Sequence, residues 1–150
     1  MPPGSVITKF MDKRIVPNEL LLEEAAVLMA EGREVTFTPL GTSMLPFIRG
    51  GRDSVRLKKF PSAAVGDIVL VRLPSCYVLH RVIGTDGDRL VLMGDGNISG
   101  TEHCTQQDVL GTVTEIQRGR RTVIPGKGTF WRAVKPLRRY ILALYRRICL

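Results

Sequence analysis

Between residues 33 and 124 the apolar residues recur with a period of two, in short runs that Gly, Asp and Pro interrupt. A period of two places alternate side chains on opposite faces of a β-strand. The sequence Thr85-Asp86-Gly87-Asp88 is typical of a hairpin turn. We therefore expect a compact, mainly antiparallel β domain. Its predicted strands are Glu34–Thr38, Asp53–Leu57, Asp67–Arg72, Tyr77–Ile83, Arg89–Met93, Val109–Gln117 and Arg120–Ile124.

Helical signals stand on both sides of this β region. At the N-terminal side, Asn18 is a predicted N-cap, and the pattern predicts a helix over Glu19–Glu31 that Gly32 ends. At the C-terminal side, an apolar stripe with steps of 4, 3, 4, 3 and 4 residues predicts an amphipathic helix. Pro136 predicts a kink or break near Lys135 and would begin the longer piece. The stripe consists of Phe130, Val134, Leu137, Ile141, Leu144 and Ile148.

The charge is distributed unevenly along the chain, whose formal net charge is +8. Residues 1–117 hold 12 Lys and Arg against 14 Asp and Glu, whereas residues 118–150 hold 10 Lys and Arg and no acidic residue. A basic excess confined to one segment indicates an element that docks on an anionic surface. We divide the chain into a loose lead-in (1–17), a β domain with its leading helix (18–125) and a basic amphipathic C-terminal helix (126–150).

The cysteines and histidines do not form a metal-binding or disulfide pattern. The three cysteines, Cys76, Cys104 and Cys149, are widely spaced and lack a Cys-x-x-Cys pair, which favours a reducing compartment. His103 beside Cys104 is not favoured as a metal site or a cysteine nucleophile, because few other ligands are grouped there. No apolar run approaches the roughly 18 to 20 residues of a spanning helix, and no leader pattern is evident. These features predict a cytoplasmic protein without metal or cofactor.

Two short motifs contain residues suited to nucleophilic catalysis. Ser43 lies in the glycine-led turn Gly41-Thr42-Ser43-Met44-Leu45-Pro46, and His80 lies in the apolar strand Leu79-His80-Arg81-Val82-Ile83. A serine hydroxyl is a poor nucleophile unless a base takes its proton, and histidine is a suitable base near neutral pH. Taken singly, each residue has an ordinary explanation, namely a surface-loop serine and a buried core histidine. Arg81 would point to the opposite face of the strand and is expected to be structural.

The order of these motifs resembles that of type I signal peptidases and of the self-cleaving SOS repressors. The succession is Gly-x-Ser-Met-x-Pro, a basic turn at residues 49–53, the run Val65-Gly66-Asp67-Ile68-Val69 and then the strand with His80. The resemblance covers about residues 35 to 117. Bacterial signal peptidases carry a lysine at the position of His80, and this chain has no lysine between Phe60 and Gly126. The chain is therefore similar to the Ser-His subclass of archaea and the endoplasmic reticulum.

The resemblance implies roles for several residues. Ser43 would be the nucleophile, its backbone N–H an oxyanion donor, His80 the general base, and Met44 part of a pocket for small substrate side chains. A carboxylate could orient His80, and two candidates follow it. Asp95 lies in a Gly-Asp-Gly-Asn sequence similar to the Gly-Asp-Asn turn of the subclass; its alternative role is turn formation. Glu102 lies near a position where the family usually has aspartate; its alternative is a solvated loop charge.

The predicted function is a serine endopeptidase that cleaves a leader or signal-like segment from an extended peptide or protein substrate. The alternative is a catalytically inactive peptide-binding or membrane-docking module with the same fold. The C-terminal stripe, with Trp131, Tyr140 and Tyr145, would dock on an anionic membrane, giving a peripheral protein at its inner face. Alternatively, the stripe would contact an acidic partner, its own β domain or a second copy. A nucleic-acid partner is disfavoured, and the oligomeric state stays open.

Overall fold

The fold is mainly antiparallel β, with one helix before the sheet and helices after it. The computed structural model describes residues 19–149; residues 1–18 and 150, including the predicted N-cap Asn18, lie outside the described part. The helices are α1 (Glu19–Ala30), α2 (Thr129–Ala133) and α3 (Arg138–Cys149). The strands are β1 (Val35–Phe37), β2 (Ser54–Lys58), β3 (Ile68–Arg72), β4 (Tyr77–Asp86), β5 (Arg89–Met93), β6 (Glu102–Thr105), β7 (Val109–Arg118) and β8 (Arg121–Val123).

This architecture confirms the predicted fold class. The seven predicted strands are all present, with ends displaced by three residues or fewer, and β6 is the strand that the sequence pattern did not predict. The predicted hairpin joins β4 and β5, where Asp86 pairs with Arg89 and Gly87 has a φ of +59°. The strands of the described chain lie in the order β1-β2-β7-β3-β4-β5-β6, and β8 pairs with β7.

Apolar side chains are buried on both faces of the sheet. In β3, Ile68 and Leu70 belong to one core cluster, while Val69 and Val71 belong to another. Helix α1 covers the first of these faces, where Met29 packs over β7. A Cβ added to Gly111 of β7 would lie 2.4 Å from the Sδ atom of Met29, so the glycine allows the helix to approach closely. A continuous buried run such as that of β3 is expected for a strand covered on both faces.

The C-terminal segment breaks where Pro136 predicted a break. A 3₁₀ turn, Lys135–Leu137, separates α2 from α3. The helices attach to the body through Trp131, Arg138 and Leu142, all buried. Among residues 19–149, no helix combines the length and the apolar character needed to cross a bilayer.

The line that attaches α3 is not the predicted apolar stripe. Leu137, Ile141, Leu144 and Ile148 of that stripe are exposed, whereas Val134 is partly buried; the side chain of Phe130 lies outside the described part. A different line of side chains, which includes Trp131, Arg138 and Leu142, is buried. Its burial leaves most of the predicted stripe at the surface. Trp131, which we expected at an interface, is instead buried beside Leu45, while Tyr140 is exposed.

Candidate active site

Ser43 lies in a turn between β1 and β2 that its apolar neighbours anchor. Met44, Leu45 and Ile48 are buried, and Ser43 is half-buried. The amide of Ile48 donates a hydrogen bond to the carbonyl of Met44 at 3.0 Å, and the amide of Leu45 donates to the carbonyl of Thr42 at 3.2 Å. The apolar side chains therefore hold the turn against the core and leave the serine at its edge.

Three glycines from other segments press against the backbone of this turn. A Cβ would lie 2.1 Å from the carbonyl oxygen of Gly41 if it were added to Gly50, and 2.3 Å from that of Ser43 if it were added to Gly94. On Gly96 it would lie 2.2 Å from the carbonyl oxygen of Thr42. None of the three has a positive φ, so glycine is needed there because no side chain fits.

The approach of Gly96 is also a hydrogen bond, because its amide donates to the carbonyl of Ser43 at 2.7 Å. Residues 94–97, the loop that follows β5, therefore support the backbone of the serine turn through close packing and one hydrogen bond. We call residues 94–97 the support loop. Any movement of the support loop would move Ser43 with it.

His80 is oriented by a carboxylate from a neighbouring strand. In the sheet register, Val82 of β4 pairs with Leu92 of β5, and Leu92 pairs with Glu102 of β6. Directly opposed residues of neighbouring strands lie on the same face of the sheet, so Val82, Leu92 and Glu102 share a face. His80, two positions before Val82, lies on that face too. The Nδ1 atom of His80 is in hydrogen-bond contact with Oε1 of Glu102. Because a carboxylate accepts, this contact places the proton on Nδ1 and leaves Nε2 as an acceptor.

The free nitrogen of His80 lies on the side of the serine turn. The position of a Cβ on Gly94 would be 3.1 Å from Nε2 of His80 and 2.3 Å from the carbonyl oxygen of Ser43, so both atoms lie close to this one glycine. His80 and Ser43 also line the same pocket, of about 230 Å³, together with Met44 and Leu70. The hydroxyl and the imidazole are not hydrogen-bonded to each other in the described chain; such bonds often tighten only when substrate binds.

Asp95 faces a different partner. Arg81 donates from Nε to Oδ1 of Asp95 at 2.8 Å and from Nη2 to Oδ2 at 2.7 Å, and both side chains are almost fully buried. Of the two carboxylates considered for orienting His80, Glu102 contacts the imidazole and Asp95 is committed to Arg81. The expected structural role of Arg81 thus has a partner, and Asp95 positions the support loop.

The C-terminal helices hold the same loop from outside, which the sequence did not reveal. Nε1 of Trp131 donates to the carbonyl oxygen of Asp95 at 2.7 Å, and Nη1 of Arg138 donates to that of Asn97 at 3.3 Å. The Arg138 guanidinium also lies 5.2 Å from the ring centre of Trp131. Burial lowers the pKa of Arg138, which the negative charge of Asp95 partly counters. The single tryptophan of the chain was the only sequence signal for this contact.

Cys104 and His103 lie away from this arrangement. Burial, and secondarily the charge of Asp108, raise the pKa of the Cys104 thiol to about 11, so the thiol is protonated at neutral pH and unsuited to nucleophilic attack. His103 is exposed. Within residues 19–149, no group of three or more potential ligands is placed to hold a metal ion.

Comparison with family models and curated sequences identifies no relative. The chain matches no protein-family model, and no curated protein matches it significantly in sequence. The functional assignment therefore depends on the geometry of the site and on the motifs of the chain.

The glycine contacts predict a selective loss of stability. Gly94→Ala and Gly96→Ala should each lower the free energy of unfolding by about 1–3 kcal/mol, because the new methyl meets backbone atoms that cannot rotate away. The control is Gly126→Ala, where nothing lies within 4 Å and φ is not positive. Urea unfolding measures all three variants. Equal stabilities for the three would contradict the close packing of the support loop.

The two carboxylates should differ in their effect on stability. Asp95→Asn should lower the free energy of unfolding by about 3–5 kcal/mol, because it leaves the Arg81 charge buried without its counter-charge. Glu102→Gln should cost much less, because the Glu102 side chain is partly exposed, at 24%. Thermal and urea unfolding of both amide variants test this difference. A larger loss for Glu102→Gln than for Asp95→Asn would refute the division of roles.

Proposed function

We propose that the chain is a serine endopeptidase in which Ser43 is the nucleophile, His80 the general base and Glu102 the residue that orients the imidazole. One observation carries the proposal: Nδ1 of His80 is held by Glu102, while Nε2 lies beside the turn of Ser43 in a shared pocket. An acid, a histidine and a serine in this order are the working parts of a catalytic triad.

Each residue would perform one step of acyl transfer. The Ser43 hydroxyl attacks the scissile carbonyl as Nε2 of His80 takes its proton, and Glu102 stabilises the imidazolium. The backbone N–H of Ser43 donates to the oxyanion. His80 then gives its proton to the leaving amine, the C–N bond breaks, and an ester joins the acyl group to Ser43. A water molecule, deprotonated by His80, hydrolyses this ester and restores the serine.

The sheet offers an edge for an extended substrate. Tyr77–Leu79 of β4 pair with β3 on one side, whereas the pairing of β4 with β5 involves Arg81 and later residues. The unpaired edge of residues 77–79 lines the pocket that contains Ser43 and His80. A peptide can bind such an edge through main-chain hydrogen bonds, with its side chains in pockets. The small pocket lined by Met44 and Leu70 suits small side chains before the cut.

The substrate would be a leader or signal-like segment, and we assign the enzyme to the cytoplasm, at the inner face of the membrane. Support for a reducing compartment comes from the cysteines, because Cys76 and Cys104 are both unpaired. The competing function is a catalytically inactive peptide-binding module. The same free edge and pocket support it, so the two functions differ only in whether Ser43 reacts.

Covalent labelling of Ser43 tests the proposal directly. A fluorophosphonate probe should label the wild-type protein at Ser43, and Ser43→Ala and His80→Ala should each abolish the labelling and peptide cleavage. The double variant should be little worse than either single one, because the two residues act as a unit. Glu102→Gln should reduce turnover by up to about 10⁴-fold, as removal of the orienting charge does in serine proteases.

Matched controls separate chemistry from folding. Ser62→Ala and His103→Ala change exposed residues of the same types and should label and cleave like the wild type. Circular dichroism and thermal unfolding establish that the inactive variants are folded. Peptide binding without any labelling of Ser43 would favour the inactive module. Undiminished labelling of folded His80→Ala would exclude His80 as the base.

A further inference from the structure

The C-terminal helix α3 has two lines of side chains along its length that are buried or apolar, and only one of them contacts the body. The contacting line contains Arg138 and Leu142, which are 2% and 1% exposed. The second line is exposed to between 36% and 72%. We call the second line, with the adjacent Tyr140, the outer face. It consists of Leu137, which directly precedes α3, and of Tyr140, Ile141, Leu144 and Ile148.

The outer face cannot turn toward the β domain without releasing the contacting line. At about 100° per residue, the centres of the two lines are separated by roughly 110°, close to a third of a turn of the helix. Trp131 and Arg138 are tied to the support loop through hydrogen bonds to the carbonyls of Asp95 and Asn97. These polar contacts and the buried Leu142 therefore set the orientation of α3, and the apolar side chains of the outer face are held outward.

The exposed charge of α3 is entirely positive. Arg139, Arg146 and Arg147 are exposed, and no acidic residue occurs after residue 117. At about 100° per residue, Arg139 and Arg146 lie on the side of the helix opposite the outer face, and Arg147 lies at its flank. A second copy docked through the same face would bring the exposed arginines of its own α3 near these, so charge repulsion opposes a symmetric dimer. An anionic surface would instead be complementary. The exposed Leu, Ile and Tyr side chains of the outer face can insert into the acyl region of a fluid bilayer.

We propose that the outer face of α3 docks on an anionic lipid bilayer, with its apolar side chains at the acyl boundary and its arginines attracted to the acidic headgroups. A helix with one apolar line and a basic polar face lies in the plane of such an interface. Because α3 is attached to the support loop, docking would hold the Ser43 pocket at the membrane surface. That consequence rests on the proposed peptidase function, whereas the docking itself does not.

Vesicle co-sedimentation of the full chain tests the docking without any use of activity. Binding should be strong to vesicles of 70% phosphatidylcholine and 30% phosphatidylglycerol and weak to pure phosphatidylcholine, and it should fall as salt rises. The double variant Leu144→Gln, Ile148→Gln should lower the partition coefficient at least about tenfold, because it removes two apolar side chains from the interface. The triple variant Arg139→Gln, Arg146→Gln, Arg147→Gln should lower it by about 10- to 100-fold.

The control is Ala143→Gln, which places the same amide on α3 at an exposed position away from the outer face. It should bind like the wild type. Thermal unfolding of each variant verifies the fold, and sedimentation velocity measures the oligomeric state. Equal binding to both kinds of vesicle, or equal loss for the Ala143 and Leu144/Ile148 variants, would overturn the proposal. An absence of vesicle binding would also overturn the proposal, even if sedimentation velocity showed a dimer that the Leu144 and Ile148 substitutions disrupt.

Discussion

The buried ion pair of Arg81 and Asp95 is the contact on which the candidate site depends. The guanidinium donates from Nε and Nη2, which form one of its edges, to the carboxylate and from Nη1 to the carbonyl oxygens of Gly66 and Gly126 at 2.8 and 2.7 Å. Burying two charges is costly, and the cost is offset only when their remaining hydrogen-bonding groups are satisfied. Here the pair joins β4, the support loop and the segment that leads into α2. The support loop thereby has one position relative to β4, and the turn of Ser43, which rests on the loop's glycines, is fixed with it.

The adjacent residues His80 and Arg81 project from opposite faces of β4, and each contacts a different part of the candidate site. Alternation along β4 directs Arg81 toward the support loop and His80 toward Glu102 of β6. A slip of one residue in the pairing of β4 with β3 would exchange these two side chains. Such a slip is unfavourable because it would separate Arg81 from Asp95 and leave two buried charges without partners, whereas β3 buries apolar side chains on both faces. The register that pairs the buried charges is thus also the register that orients the imidazole.

The fold was largely predictable because most strands bury apolar side chains at regular positions. Strand β6 was not, because its sequence Glu-His-Cys-Thr buries only Cys104 and its identity as a strand comes from pairing with β5. The same strand delivers Glu102, so the choice between the two acids depended on an element without a local signal. The sequence of a Gly-Asp-Gly turn is the same whether its carboxylate contacts an arginine or a histidine, so the sequence alone does not identify the partner of Asp95. Periodicity likewise identified an apolar stripe near the C-terminus, but not which line of α3 is buried, since the contacting line includes a charged Arg138.

The C-terminal helices are a part of the site and not merely an appendage to it. Trp131 and Arg138 donate hydrogen bonds to the carbonyls of Asp95 and Asn97, so deletion of the segment would remove two contacts of the support loop as well as the basic charge. Loss of activity after such a deletion would therefore say nothing about membranes. Substitutions on the outer face avoid this ambiguity, because Leu144 and Ile148 are exposed whereas Trp131 and Leu142 are buried. A bilayer in contact with the outer face would leave the contacts to the support loop in place, so lipid binding and support of Ser43 can occur at the same time.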